Sequence, residues 1–363
     1  MFIDSSESSY ARTRAIVDCS ALKINIDRIQ ELSGSAGIIA VVKDNAYGHG
    51  VEVVCNVLDR HVAGFAVATL AEATHLRRSI SEKPIWVFGG FKDKSELACI
   101  QEMKLVPIVH SSFQIDLLVA GGRQTQVVLE LDSGMGRLGF TPASFQQAYQ
   151  AILGSCDIVG VMSHFSSAED PESETTGKQF QCFLSSAPSS GPPRSIANSA
   201  AVLGKPDWRL ELVRPGLLLY GISPLTDKCG KDHDLVPAMT LESELISVRF
   251  MSRGDRIGYG GTWTCPENMR VGVVGCGYGD GYPRSVPAGT PVELNGQRVP
   301  VIGRISMDSM VVDLRSAPKA NVGDKVILWG PGLPLELIAK HAGTIPNELL
   351  VSVTSRVPRV FKE

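Results

Sequence analysis

The chain has 363 residues, 44% of them hydrophobic and 20% charged, with a formal net charge of −3. That length predicts about two domains, the apolar share allows a large core, and the charge offers no basic footprint for a nucleic acid. The polar start, Met1 to Arg14, has no signal-peptide pattern and no apolar run matches a membrane span, so a cytoplasmic protein without membrane or nucleic-acid partners is expected.

Up to about residue 237, short apolar runs alternate with longer segments of helical spacing. The strands predicted are Ile38–Lys43, Gly64–Thr69, Ile85–Gly89, Val106–His110, Val127–Leu131, Ile158–Ser163, Ser195–Ala197 and Leu212–Arg214. Most are apolar on both faces, as parallel strands under helices are. Thr141-Pro142 opens a helix that Gly154 closes, and Phe113–Val119 forms another, stopped by Gly121-Gly122. Eight such units predict an α/β fold, a (β/α)8 barrel of TIM type over residues 14–237. A doubly wound open sheet is the rival. The count of eight favours the barrel, as does the missing G-x-G-x-x-G after the first strand.

Beyond Pro237 the texture changes to a mainly antiparallel β domain, residues 238–363, with which residues 1–13 are expected to pair. Val292–Val299 reads as a hairpin with an Asn295-Gly296 turn, Val322–Trp329 as a further strand, and Pro334–His341 as a short helix. The eight cysteines, Cys19, Cys55, Cys99, Cys156, Cys182, Cys229, Cys265 and Cys276, include no Cys-x-x-Cys pair. They read as reduced thiols, mostly small buried apolar groups.

A parallel barrel carries its chemistry at the C-terminal ends of its strands. Lys43 ends the first strand, placed to offer the neutral amine that Schiff-base chemistry needs. Taken alone, such a lysine is more often one that snorkels to the rim. The loop that follows, Asp44-Asn45-Ala46-Tyr47-Gly48-His49-Gly50, strengthens the site reading by placing Tyr47 beside a ligand. Arg137 sits in a glycine-rich loop after the fifth strand, where it can pair with a carboxylate or lie on the surface. His164 ends the sixth strand and alone reads as an ordinary hydrogen-bonded histidine. Ser199, with the backbone of Gly216 and Leu217, falls in the loops after strands seven and eight, where barrels bind phosphate. A phosphate opposite a lysine is the layout of a pyridoxal phosphate (PLP) enzyme, with Arg214 at the pyridine nitrogen. No His-Glu-x-x-His, Walker A, zinc-spaced Cys/His cluster or Gly-x-Ser-x-Gly competes, and no metal is expected. Gly275–Gly281 is rich in glycine without matching G-x-G-x-x-G.

From about residue 14 onward the chain resembles bacterial alanine racemases. The resemblance rests on seven ordered motifs: Ala40–Gly50, Gly134–Gly139, Ala197–Ala200, Arg214–Gly216, Ile257–Gly260, Gly303–Asp308 and Arg356–Arg359. It implies an isomerase, built as a barrel followed by a β domain, that interconverts L- and D-alanine for peptidoglycan synthesis or alanine catabolism. It also implies a head-to-tail homodimer whose active sites are shared between subunits. Lys43 would carry PLP and act as one base, with Tyr259 of the other subunit as the second. Tyr47, Ser199, Gly216 and Leu217 would hold the phosphate, and Arg214 would face the ring nitrogen. Arg137 and the Met307 backbone would bind the substrate carboxylate. His164 would tune Tyr259 or Arg214, and Tyr278 and Arg284 would rim the substrate entrance.

The chain departs from that pattern at three positions. Glu130 stands where the family often has a carbamylated lysine, and is expected to orient Arg137 without modification. Ser355 replaces a tyrosine common at the inner gate, which predicts a wider entrance and turnover of residues larger than alanine. Ser306 stands where cysteine is common. The alternatives are a racemase of broader specificity (serine or basic amino acids), a non-catalytic PLP-binding protein, or a related PLP decarboxylase.

Overall fold

A computed structural model describes residues 11–363 apart from 81, 122–123 and 171–172. The first strand, β1 (Arg14–Asp18), runs into the helix Cys19–Ser33, whose N-terminus is capped by the Asp18 carboxylate accepting from the Ala21 N–H at 3.1 Å. Eight parallel strands follow. They are β2 (Gly37–Val41), β3 (Gly64–Val67), β4 (Ile85–Val87), β5 (Val106–Val109), β6 (Gln126–Glu130), β7 (Asp157–Met162), β8 (Arg194–Asn198) and β9 (Leu212–Arg214). Each pairs with the next, and β9 returns to β2 through Leu212–Gly37 and Val213–Ile38, closing the barrel. Every position of β3, β4 and β5 is buried, because helices cover one face and barrel-filling side chains the other.

Local chemistry sets the helix ends. Thr69 and Glu72 form a capping box at Leu70–Arg77, and Asp93 caps Lys94–Glu102. Pro142 opens Pro142–Ile152 from the first turn, although the Thr141 hydroxyl makes no capping bond. The helix Ser112–Gly121 covers the segment expected at 113–119 and includes Gly121, while the other half of the expected stop, Gly122, lies outside the described residues.

The second unit contains β10 (Met239–Met251), β11 (Arg256–Ile257), β12 (Trp263–Thr264), β13 (Met269–Val274), β14 (Pro291–Leu294), β15 (Gln297–Ile302), β16 (Met310–Asp313), β17 (Lys325–Trp329) and β18 (Arg359–Lys362). The long β10 shifts register between Leu245 and Ser247. Its first part pairs with β1 and β17 and its second with β13. The series β13-β16-β15-β14-β17-β10 thereby closes on itself, and β1 and β18 extend it. Asn295 and Gly296 both have positive φ, as a type I′ turn requires. Besides the helix Leu335–Ala342, a second one, Pro346–Ser352, packs here, opened by Pro346.

Strand β1 belongs by pairing to this second sheet. It lies antiparallel to β10 and parallel to β18, and its alternating burial differs from the solid apolar runs of the barrel. The pairing expected of residues 1–13 falls mostly on residues outside the described range. Within it, the Thr13 hydroxyl lies 3.2 Å from Ser243 Oγ and 2.9 Å from the Gly275 carbonyl. One continuous apolar core spans both units, and a smaller one lies around Ile257, Cys265, Met269, Val271 and Ile302. All eight cysteines are unpaired, five of them buried. Among the described residues no helix is long and apolar enough to cross a membrane.

Candidate active site

The C-terminal mouth of the barrel opens into a cavity of about 600 Å³. Its walls include Lys43, Tyr47, Arg137, His164, Ser199, Arg214, Gly216 and Leu217. These eight candidates come from five separate strand ends and the loops that follow them, and the barrel brings all of them together.

Lys43 follows β2 and opens an uncommon piece of backbone. Asp44, Asn45 and Ala46 have φ of 53–55° and ψ of 46–52°, and Tyr47 has φ 51°, so four residues in a row are left-handed. For L-residues that conformation costs about 1–2 kcal/mol each, less for Asp and Asn. Such strain persists only where surrounding contacts enforce it. The Glu72 carboxylate accepts from the Asp44 N–H at 2.6 Å, and Asn45 Oδ1 accepts from the Val51 N–H at 2.9 Å. His49 Nδ1 lies 3.0 and 2.9 Å from the carbonyls of Ala46 and Tyr47, which fixes the proton on Nδ1. The His49 ring, fully buried, stacks on Tyr220 at 4.4 Å, and the Tyr220 hydroxyl donates to the Val41 carbonyl.

Opposite Lys43 lies a cradle for an anion. The Ser199 hydroxyl oxygen accepts from the N–H of Gly216 at 2.8 Å and of Leu218 at 3.4 Å. Asn198 caps the short turn that begins at Ser199. A Cβ at position 216 would stand 2.6 Å from the Tyr47 hydroxyl, so glycine there leaves the space between ring and backbone open. Convergent hydroxyls and N–H groups at one end, with a lysine facing them, fit a phosphate-bearing aldehyde such as PLP.

Three cations, Lys43, Arg137 and Arg214, face this space. Arg214 is buried and donates to Ser195 Oγ at 2.6 Å and to the Ser163 carbonyl at 2.5 Å, while its Nη2 lies 3.4 Å from His164 Nδ1. An arginine nitrogen only donates, so His164 Nδ1 is the acceptor and the ring proton sits on Nε2. Desolvation first, then the charges of Arg214, Arg137 and Lys43, push the His164 pKa down to about 3. The ring therefore stays neutral at any working pH. Burial also pulls the Arg214 guanidinium down to about 10, where it remains charged near neutrality. The buried Glu130 carboxylate is raised by desolvation and held back by attraction to Arg214 and then Arg137. Arg137 itself is exposed, in a loop whose Asp132 carboxylate accepts from the N–H groups of Gly134 and Gly136.

The remaining candidates are elsewhere. Tyr259, 65% exposed, lies in the turn between β11 and β12 and Met307 is 52% exposed; neither lines the cavity. Tyr278 and Arg284 line a separate groove of about 330 Å³. The N–H groups of Tyr278 and Gly279 donate to the carbonyls of Ser306 and Met307, and Arg356 bridges Asp280 and Asp308. The loops at Tyr278–Asp280 and Ser306–Asp308 are thereby held together in the second unit. Sequence reasoning missed Glu72, although Thr69-x-x-Glu72 is a legible capping box. It also missed the roles of Ser195 and His49, and the Ile345–Asn347 wall of the cavity.

Comparison with known proteins agrees with this geometry. The family model "Alanine racemase, N-terminal domain" matches residues 17–224, and "Alanine racemase, C-terminal domain" matches residues 238–361. The alanine racemase of Nitrosococcus oceani is 47% identical over 96% of this chain and 99% of its own, and that of Haemophilus influenzae is 44% identical over 94% and 96%. Among solved structures, the biosynthetic alanine racemase of Pseudomonas aeruginosa superposes with a TM-score of 0.94 at 40% identity, covering 97% of this chain and 99% of that one. The alanine racemase of Bartonella henselae, solved with covalently bound pyridoxal phosphate, gives 0.89 at 29% identity, covering 97% of this chain and 100% of that one.

The buried histidines generate an acid-stability prediction. Burial pushes the His49 pKa down to about 4, below the ordinary 6.5 of the unfolded chain. Between those values the unfolded chain binds a proton that the fold refuses. Stability is then complete above about pH 6.5 and declines toward pH 4, by up to about 1.4 kcal/mol per pH unit from His49 alone. Urea midpoints of the cofactor-free protein should fall steeply across that window, and His49→Phe should flatten the slope.

Proposed function

The chain belongs to the alanine racemase family, and from that premise we propose that it interconverts L- and D-alanine with PLP through two bases, Lys43 and Tyr259, supplied by different subunits. The observation that carries this reading is the single cavity where Lys43 faces the Ser199–Gly216 cradle, with Arg137 at the rim. Tyr47, Ser199, Gly216 and Leu217 hold the phosphate, and Arg214 faces the ring nitrogen, with His164 fixed behind it. Bound there, PLP supplies a carbonyl that captures an amine and a ring that delocalises an electron pair. Arg214 stays charged and so disfavours a proton on that ring nitrogen. Arg137 orients the substrate carboxylate, joined by the backbone at Met307. Lys43 Nζ moves the proton on one face of the substrate α-carbon, and Tyr259 Oη moves it on the other.

Tyr259 stands in an exposed turn away from its own chain's cavity. That position supports a head-to-tail homodimer in which the face bearing Tyr259, Met307, Tyr278 and Arg284 completes the partner's mouth. The working division is residues 14–237 and 238–363, with β1 lent across it. A cytoplasmic protein that supplies D-alanine for peptidoglycan is the reading best supported, by likeness to the biosynthetic relative.

Mixing two inactive variants tests the sharing. Lys43→Ala and Tyr259→Phe each abolish racemisation. Random mixed dimers should regain about a quarter of wild-type activity, because each mixed dimer holds one intact site. No recovery would place both bases in one chain.

Two departures from the family give further tests. Glu130 orients Arg137 through its buried charge, so Glu130→Gln should raise KM for alanine about tenfold, the effect of weakening one charge-assisted contact; an unchanged KM removes this role from Glu130. Ser355 is exposed beside Arg356. The wild type should racemise serine measurably, and Ser355→Tyr should lower that rate relative to alanine; strict alanine selectivity in both proteins would rule out the wider entrance.

A further inference from the structure

The turn that carries Lys43 is held from three directions. Glu72 and His49 act from within the barrel unit. The third hold comes from the other end of the chain. Arg359, the first residue of β18, donates from Nε to the Gly48 carbonyl at 2.9 Å. Its other nitrogens donate to the carbonyls of Thr354 at 2.6 Å, Val357 at 2.8 Å and Val353 at 2.7 Å. All four acceptors are neutral backbone oxygens, and none of the ion pairs among the described residues includes Arg359. A guanidinium satisfied in this way is a geometric clamp, since its planar fork fixes four carbonyls at once.

The fit around the clamp is close. Gly48 has φ 77°, and a Cβ there would collide with the Leu350 carbonyl in the helix Pro346–Ser352. A Cβ at Gly50 would stand 2.9 Å from the Phe361 ring. The two glycines after Tyr47 are thus the places where the C-terminal segment presses against the turn. Gly48 also closes the left-handed stretch, its N–H donating to the Asp44 carbonyl. Fixing the Gly48 carbonyl therefore fixes the exit of the strained segment whose entrance is Lys43.

We infer that Arg359 is a positioning residue for the reaction: by holding Gly48 it sets the left-handed turn, and with it the aim of Lys43 and Tyr47. The inference rests on the reading of Lys43 as the cofactor's anchor. A lysine at position 359 keeps the charge but lacks the fork, so it cannot hold Gly48 and the tail together. A plain packing role would be served by any bulky side chain.

The test uses the PLP-loaded enzyme with Arg359→Lys, Arg359→Met and Phe361→Leu, the last loosening the same strand without touching the Gly48 bond. In both Arg359 variants PLP should dissociate about 10- to 100-fold faster, and the visible cofactor band should titrate at a different pH, a range typical of displaced reacting groups. kcat should fall by a similar factor with KM for alanine nearly unchanged. Phe361→Leu should leave all three readouts near wild type. Wild-type behaviour in Arg359→Lys overturns the inference, as does equal impairment in Phe361→Leu. Borohydride reduction followed by peptide mapping separates the premise from the inference. PLP fixed on a residue other than Lys43 would remove the anchor reading itself, whatever the Arg359 variants do.

Discussion

Four consecutive left-handed residues are the constraint around which this molecule is arranged. Asp44–Tyr47 must turn the wrong way for L-residues so that one short segment can present Lys43 at its start and the Tyr47 hydroxyl at its end. A right-handed turn here would be cheaper by several kcal/mol on the scale of about 1–2 kcal/mol per residue. The conformation survives because neighbouring groups consume its polar atoms. Glu72 takes one N–H, His49 meets two carbonyls, and Arg359 takes a third. The stacked pair His49–Tyr220 supplies the floor, and Tyr220 is tied in turn to Val41 at the end of β2. Strand, turn and floor thus form one rigid body behind Lys43.

Electrostatics follows from that scaffold. Three cations converge on one mouth, and the buried Glu130 carboxylate offsets them from inside, with the exposed Glu169 also on the wall. A phosphate and a substrate carboxylate are the anions that balance such a site. Neutral His164 matters for the same reason: a further positive charge beside Arg214 would be unaffordable at that depth, and the ring accepts a hydrogen bond instead. Tyr259 and Met307 stand exposed on the second unit, where the proposed homodimer would set them against a partner's cavity.

The sequence revealed the barrel because eight short runs, most of them apolar on both faces, alternate with helical segments as covered parallel strands do, and each of the eight matched an observed strand. Lys43, Arg137 and Ser199 were legible as strand-end residues, and the barrel rule gathered them. Strand β1 was not legible as a member of the distant sheet, since five residues of alternating burial do not name their partner. The helix Pro346–Ser352 was too short for a periodic signal. The roles of Glu72 and Arg359 could not be read because they depend on contacts across 28 and 311 positions, and no local pattern encodes those.

The pairing of β1 with β18 has a consequence for biosynthesis. The first described strand and the last are neighbours in one sheet, with the whole barrel between them in the chain. The strands of the barrel pair with near neighbours in the chain, and those contacts can form before the C-terminal segment is made. The lysine-bearing turn cannot receive the Arg359 clamp until a strand synthesised 311 residues after Gly48 has emerged. The hold on the Lys43 turn is therefore among the last contacts this polypeptide can make, and a chain broken off before β18 would lack it.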